Sequence, residues 1–390
     1  MKSMTRTILY FLENHLPGLV KRLVTIRSWL KPLDCWTTQR LSVKLAAQLA
    51  ESGILSAELA TDWNAAFRTY HREFPRNYPI YASFCTSQLD RIARRKSPDL
   101  IDQVLGICVV KNDLERMKLV IEHYRTLGVL QFAIIDNDST DGTKDWLTNQ
   151  PDMDVYVVTT PFSSQRKYGW INQLLARYGR NRWYLYFDSD ERFVYPDLEN
   201  KPIARLIAQV ERHQLDRLGA VMLDMYSDQA IYAKTPRTQP ITADYCYFDS
   251  DSYEISQSRR GTVIKGGPRK RVFSAELDDS PLLIKYPLFF LREGMIFESA
   301  HYLYPFRHDI PVGSALLHYK FLPSDLERHL EIAREGNFQG GSREYKRYLA
   351  AYEANAAISF LYDGTVKFEN SSSLARLGFV QTLEDSEVTP

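Results

Sequence analysis

Leu and Ala recur at spacings of three and four through "TTQRLSVKLAAQLAESGILSAELATDWNAAFRTYHREF", with good helix formers between them. Residues 1–100 therefore read as a helical region, punctuated at its end by Pro75, Pro79 and Pro98. From Val104 the pattern switches. "VLGICVV" is a short apolar, β-branched run, and "NDLERMKLVIEHYRTLG" places Met117, Val120, Ile121, Tyr124 and Leu127 on one helical stripe with Gly128 as a stop. "VLQFAIID" reads as a second strand, "STDGTKDWLTNQ" as a short helix capped by Ser139 or Thr140, and "MDVYVVTT" as a third strand. "SSQRKYGWINQLLARYG" returns to helical spacing and "RWYLYFDSDE" is a fourth strand. Strands alternating with helices predict an α/β fold around a parallel sheet, and ligands of such sheets bind beyond the carboxyl ends of the strands. Past residue 200 come a helix near 202–215, a strand at "LGAVMLDMY", and a long irregular stretch from Lys234 to Phe273. "PSDLERHLEIAREG" and "REYKRYLAAYEANAAISFL" then predict a helical tail.

Composition narrows the partners rather than the fold. With 49 basic and 48 acidic residues in 390, the net charge of +1 provides no global field for nucleic acid, so any anion site is local. The four cysteines, Cys35, Cys85, Cys108 and Cys246, show no CxxC spacing, which excludes a zinc ribbon and points to a reducing, cytoplasmic setting. The first residues, "MKSMTRTILYFLENHLPGLVKRLVTIRSWLKPL", are broken by Glu13, His15, Lys21 and Arg22. They leave no stretch near the roughly 20 apolar residues of a membrane span and carry no cleavage signal. Two readings stay open: a helix packed on the protein's own core, and a helix lying on a membrane surface, at its inner face.

The chemistry concentrates at the predicted strand ends. "WYLYFDSDERF" runs an apolar strand into Asp188, Asp190 and Glu191, whose mutual repulsion a hard cation such as Mn²⁺ or Mg²⁺ would relieve. A solvated acidic turn is the plainer alternative. "IIDNDSTDGT" fails the calcium-loop register, since Asp141 and Leu147 stand where Gly and Glu are needed, and better suits a turn that presents carboxylates to a nucleotide. Basic groups for a departing diphosphate are available in Gln165-Arg166-Lys167, at a predicted helix start, and in Arg269, Lys270 and Arg271 behind two glycines.

Taken in order, "GICVVKNDLERMKLVIEHYRTLGVLQFAIIDNDSTDGT" and "YLYFDSDERF" resemble the family 2 glycosyltransferases, in particular a soluble bacterial branch. Similarity extends through "DMYSD", "CYFDSDSYE", "GGPRKRVF", "KYPL" and "LLHYKFL", covering roughly residues 104–325. The resemblance implies a GT-A fold: a Rossmann-like mixed sheet flanked by helices, here spanning 101–325 between helical regions at 1–100 and 326–390. It implies a nucleotide-diphosphate-sugar donor, such as a UDP- or GDP-sugar, a divalent metal, and inverting transfer to a surface-glycan or lipid-linked glycan acceptor. Lys111, Asn112 and Asp113 would line the nucleotide, with Asp136 and Asp138 near base and ribose, and Asp188 and Asp190 would hold metal and diphosphate. Asp113 stands where the motif usually has Glu, and Ser189 replaces the commoner Ala. His318 is the expected additional metal ligand, ahead of His301, and Lys320 is placed to face the same phosphates. For the base that deprotonates the acceptor, Asp224, Asp228, Asp244, Glu254 and Glu191 qualify by type, and Asp228 is preferred. The rival readings are a sugar nucleotidyltransferase, disfavoured because "VVKNDLERMK" lacks a glycine-rich loop, and a scaffold with a vestigial site.

Overall fold

The computed structural model describes residues 57–233, 240–274, 280–336 and 339–383, so the surface-helix reading of the N-terminus lies outside the described residues. Helices α1 (Ala57–Glu73) and α2 (Tyr78–Thr86) lead into strand β1 (Asp90–Ala93). Strands and helices then alternate: β2 (Leu105–Val110), α3 (Leu114–Thr126), β3 (Phe132–Asp136), α4 (Thr143–Thr148), β4 (Met153–Val157), α5 (Ser164–Tyr178) and β5 (Trp183–Tyr186). After β6 (Glu191–Val194), α6 (Ile203–Arg212) and β7 (Arg217–Asp224) come α7 (Ile241–Asp244), β8 (Tyr247–Asp249), β9 (Tyr253–Ser258), β10 (Gly261–Gly266) and α8 (Gly267–Phe273). The chain continues through β11 (Ile284–Phe290), β12 (Ile296–Phe297), β13 (Leu303–Tyr304) and β14 (Val312–His318), then α9 (Asp325–Glu335), α10 (Gln339–Ala354), β15 (Thr365–Lys367) and α11 (Ser371–Arg376).

Nine strands form one mixed sheet in the order β1-β4-β3-β2-β5-β11-β7-β14-β6. β4, β3, β2 and β5 are parallel neighbours, as are β7 and β14, while β1, β11 and β6 run against them. Every residue of β2, β3 and β7 is buried, which is what a sheet covered on both faces requires of its strands. The shared direction brings the carboxyl ends of β2, β3, β5, β7 and β14 to one edge. There Val110 pairs with Asp136, and His318 pairs with both Asp224 and Glu191. α3 turns its Met117, Val120, Ile121 and Tyr124 stripe onto the sheet, and Gly128, at φ 89°, ends the turn that follows it.

The flanks depart from the predicted pattern in three places. Asp90–Ala93, inside the region read as helical, adds an antiparallel edge strand against β4. The stretch read as irregular holds the β9–β10 hairpin and the helix α8. The tail is helical through α9 and α10, but β15 then pairs with β8, and Leu374 and Val380 join the main core. α2 packs on α5 at Gly169, where a Cβ would come 2.7 Å from the Ile80 carbonyl oxygen. That contact fixes the helix that carries Lys167. Among the described residues no helix is long and apolar enough to cross a membrane.

Candidate functional site

The acidic turn between β5 and β6 is held by lysines. Asp188 Oδ1 accepts from Lys167 Nζ at 2.5 Å and from the Tyr186 hydroxyl at 2.5 Å, and its Oδ2 accepts from Lys285 Nζ at 2.8 Å. Lys285 also donates to Glu191, and both are buried. Burial pushes the Asp188 carboxyl up, but Lys167 and Lys285 outweigh it and hold the group below the ordinary carboxylate range. For Glu191 burial wins over Lys285, and its carboxyl is raised. The lysines offset the charges of Asp188 and Glu191 in this turn.

Asp190 faces the other way, towards His318. The ligand atoms of Asp190, Glu191 and His318 lie within 4.8 Å of one another. His318 Nε2 is 3.3 Å from Asp190 Oδ2, and its Nδ1 donates to Asp224 Oδ1 at 2.6 Å. Burial alone would lower the His318 pKa, but Asp190 and Asp224 outweigh it and raise it. Asp224 in turn accepts from Arg269 Nε at 2.7 Å, and Arg269 Nη1 reaches Glu344 at 2.7 Å. A carboxylate fixing one imidazole nitrogen while the other faces open ligand atoms is how proteins orient a metal-binding histidine. The mixed oxygen and nitrogen donors suit Mn²⁺ or Mg²⁺, Mn²⁺ being the more tolerant of imidazole. The residues present therefore fit a divalent cation at Asp190, Glu191 and His318, with Asp188 beside it on the lysines rather than within the trio.

The motifs after β2 and β3 are stitched to this turn. Asn112, at φ 49°, donates its backbone N–H to Ser139 Oγ at 2.9 Å and accepts from Thr140 N through its side chain at 2.8 Å. Asp113 bonds Arg116 Nε at 2.8 Å and receives the Ser189 hydroxyl, while Arg116 clasps Asp325 at 2.8 and 2.9 Å. The shorter Asp113 side chain thus reaches the acidic turn through Ser189, a contact that Ala at 189 would not supply. Asp136 accepts Ser139 N at 2.7 Å with one oxygen, and its other oxygen is buried without a partner. Burial raises its pKa. Asp138, at φ 57°, is exposed beside Lys144, and Lys111 is exposed. An open cavity of about 910 Å³, lined by Asn112, Asp113, Arg116, Asp141, Ile241 and Leu322 among others, adjoins these motifs. At the start of α5, Gln165 is half-buried and Arg166 Nη1 donates to the Pro161 carbonyl.

Other expected residues stand differently. Arg269 and Arg271 belong to helix α8, not to a loop reaching for phosphate. Arg269 is 4 % exposed and bound to Asp224 and Glu344, and Arg271 is bound to Asp249, the Phe360 carbonyl and the Tyr362 ring. Arg269 is buried with its Nη2 left without a hydrogen-bond partner among the described residues, while Arg271 is half-buried against Asp249. Asp224 and Glu191 are enclosed and bonded, unlike a base open to an acceptor. Asp228 accepts from Gln229, and no bond joins it to the cluster. His301 Nδ1 bonds the Ile284 carbonyl, and burial lowers its pKa to about 4. Lys285, Arg116, Asp325 and Glu344 were not expected. Lys285 alone left a signal, as a single cation in the apolar run "LLIKYPLFFL".

Neither a family model nor a curated protein matches this chain. Among solved structures it is similar to the mannosyltransferase PcManGT from Pyrobaculum calidifontis, in complex with GDP-Man and Mn²⁺. Identity is 15 %, the match covers 46 % of this chain and 47 % of that one, and the TM-score is 0.25. The chain thus matches about half the length of that protein, and the functional reading rests on the side chains.

Proposed function

We propose that this protein is a glycosyltransferase of GT-A type that moves a sugar from a nucleotide-diphosphate donor to a glycan or lipid-linked glycan hydroxyl, with inversion and with help from a divalent cation. The observation that carries the reading is His318, held by Asp224 and aimed at Asp190 at the edge where the β2 and β3 motifs also converge. A cation bound there would neutralise the diphosphate as it departs. Asp190, Glu191 and His318 would hold it, and Asp224 keeps His318 in register. The unpartnered oxygen of Asp136 awaits a donor from base or ribose. Lys167 and Lys285 keep Asp188 ionised and fixed beside the donor's phosphates. The test is thermal stability with UDP- and GDP-sugars, with and without Mn²⁺. A donor at 100 times its Kd stabilises by about 2.7 kcal/mol, a shift of a few degrees. No shift with any donor in the presence of Mn²⁺ would remove the proposal.

A further inference from the structure

The transfer needs a base, and the carboxylates of the acidic turn and Asp224 are each tied up. Asp188 is held by two lysines, Glu191 is 1 % exposed on Lys285, and Asp224 divides its two oxygens between Arg269 and His318. Glu344, on α10, differs. Its Oε1 accepts from Arg269 Nη1 at 2.7 Å and from the Tyr348 hydroxyl, while Oε2 accepts no bond from any described residue. The side chain keeps 35 % exposure against 4 % for Arg269. One oxygen is thus anchored and the other open to a hydroxyl. The anchor runs through Arg269, Asp224 and His318 to Asp190, which ties the position of Glu344 to the cation trio without making it a ligand.

We propose that Glu344 is the general base of the transfer, an inference that rests on the transferase reading above. The acceptor hydroxyl gives its proton to Glu344 Oε2 as its oxygen bonds to the anomeric carbon. The bond from that carbon to the diphosphate oxygen breaks, and its electron pair leaves with the diphosphate. The groups facing Glu344 are Arg269 on α8, Lys320 after β14, and Tyr348 on its own helix. Burial raises the Glu344 pKa, but Arg269 and Lys320 outweigh it and keep the carboxylate ionised at neutral pH.

The experiment is hydrolysis of a panel of UDP- and GDP-sugars with Mn²⁺, water replacing the acceptor, by the full chain and by Glu344→Gln. The amide oxygen of Gln still accepts from Arg269 and Tyr348 but takes no proton. Hydrolysis at neutral pH and saturating Mn²⁺ should fall by about 10²- to 10⁴-fold, with Mn²⁺ and nucleotide affinities unchanged. Glu344→Asp, which keeps a carboxylate, should recover part of the rate. If Glu344→Gln hydrolyses at the parent rate, Glu344 is not the base while the transferase reading stands. If Gln and Asp variants lose rate equally and both bind nucleotide poorly, Glu344 is only an anchor for Arg269 and the assignment is overturned. A parent that hydrolyses none of the panel overturns the transferase reading and this inference with it.

Discussion

Asp224→Asn is the sharpest perturbation of the cation trio that leaves its ligands in place. In the parent, Asp224 spends one oxygen on His318 Nδ1 at 2.6 Å and the other on Arg269 Nε at 2.7 Å. Asparagine replaces one of those oxygens with an NH₂ group, which meets a donor from either His318 or Arg269. Losing the carboxylate that orients a metal-bound histidine costs 10- to 100-fold in metal affinity, or about 1.4–2.7 kcal/mol. A second effect is on stability. Burial raises the Asp224 carboxyl, but Arg269 and His318 outweigh it and bring it down to about 2. A folded pKa below the unfolded one stabilises above the unfolded value, and that contribution is lost as pH falls from 3.8 towards 2. About two units of depression is worth about 2.5 kcal/mol at neutral pH. Calorimetric titration with Mn²⁺ reads the first effect and urea denaturation at pH 7 and pH 3 reads the second. The variant should bind Mn²⁺ at least tenfold more weakly and lose less stability than the parent between the two pH values. If Asp224→Asn bound Mn²⁺ within twofold of the parent, Asp224 would have no part in orienting a metal ligand.

Arg116→Met removes the short ion pairs of two buried carboxylates, Asp113 and Asp325, leaving Asp113 with Arg328 at 3.4 Å and the Ser189 hydroxyl. A loss of about 3–5 kcal/mol in urea denaturation is expected, and a loss under 1 kcal/mol would show that α9 and the acidic turn are held by other means. His123 is buried between the Phe193 carbonyl and Arg192, and burial, then Arg192, lowers its pKa to about 3. Its neutral form stabilises above pH 6.5, and up to about 5 kcal/mol is lost as pH falls towards 3. His123→Gln should flatten the fall in melting temperature between pH 6.5 and 4, and an unchanged slope would contradict the burial argument.

The α/β alternation between residues 104 and 191 was legible because buried parallel strands leave unbroken apolar runs, as in "GICVV" and "FAIID". The cluster at the sheet edge followed from where those runs end. Asp90–Ala93 was hidden because its pairing with β4 is made by backbone while Asp90 and Arg91 remain exposed, giving no period to read. The ion pairing of Arg269 and Arg271 was hidden because a basic run after two glycines looks the same facing solvent or facing Asp224 and Asp249. Glu344 and Asp325 sit more than 100 residues from Asp188 and meet its surroundings only through tertiary packing of α9 and α10. No local spacing in the sequence records such a contact.

The central claim is that His318 and Asp190 hold a cation used to bind a nucleotide-sugar donor. Its most direct measurement is calorimetric titration of Mn²⁺, then of UDP- and GDP-sugars, into the parent, Asp190→Asn and His318→Ala. The parent should bind Mn²⁺ and then at least one donor, with Mn²⁺ affinity falling as pH drops and protons compete for His318. Both variants should lose Mn²⁺ affinity and, with it, Mn²⁺-dependent donor binding, and His318→Ala should also lose the histidine step of the pH profile. Mn²⁺ and donor binding of parental strength and pH dependence in both variants would contradict the account.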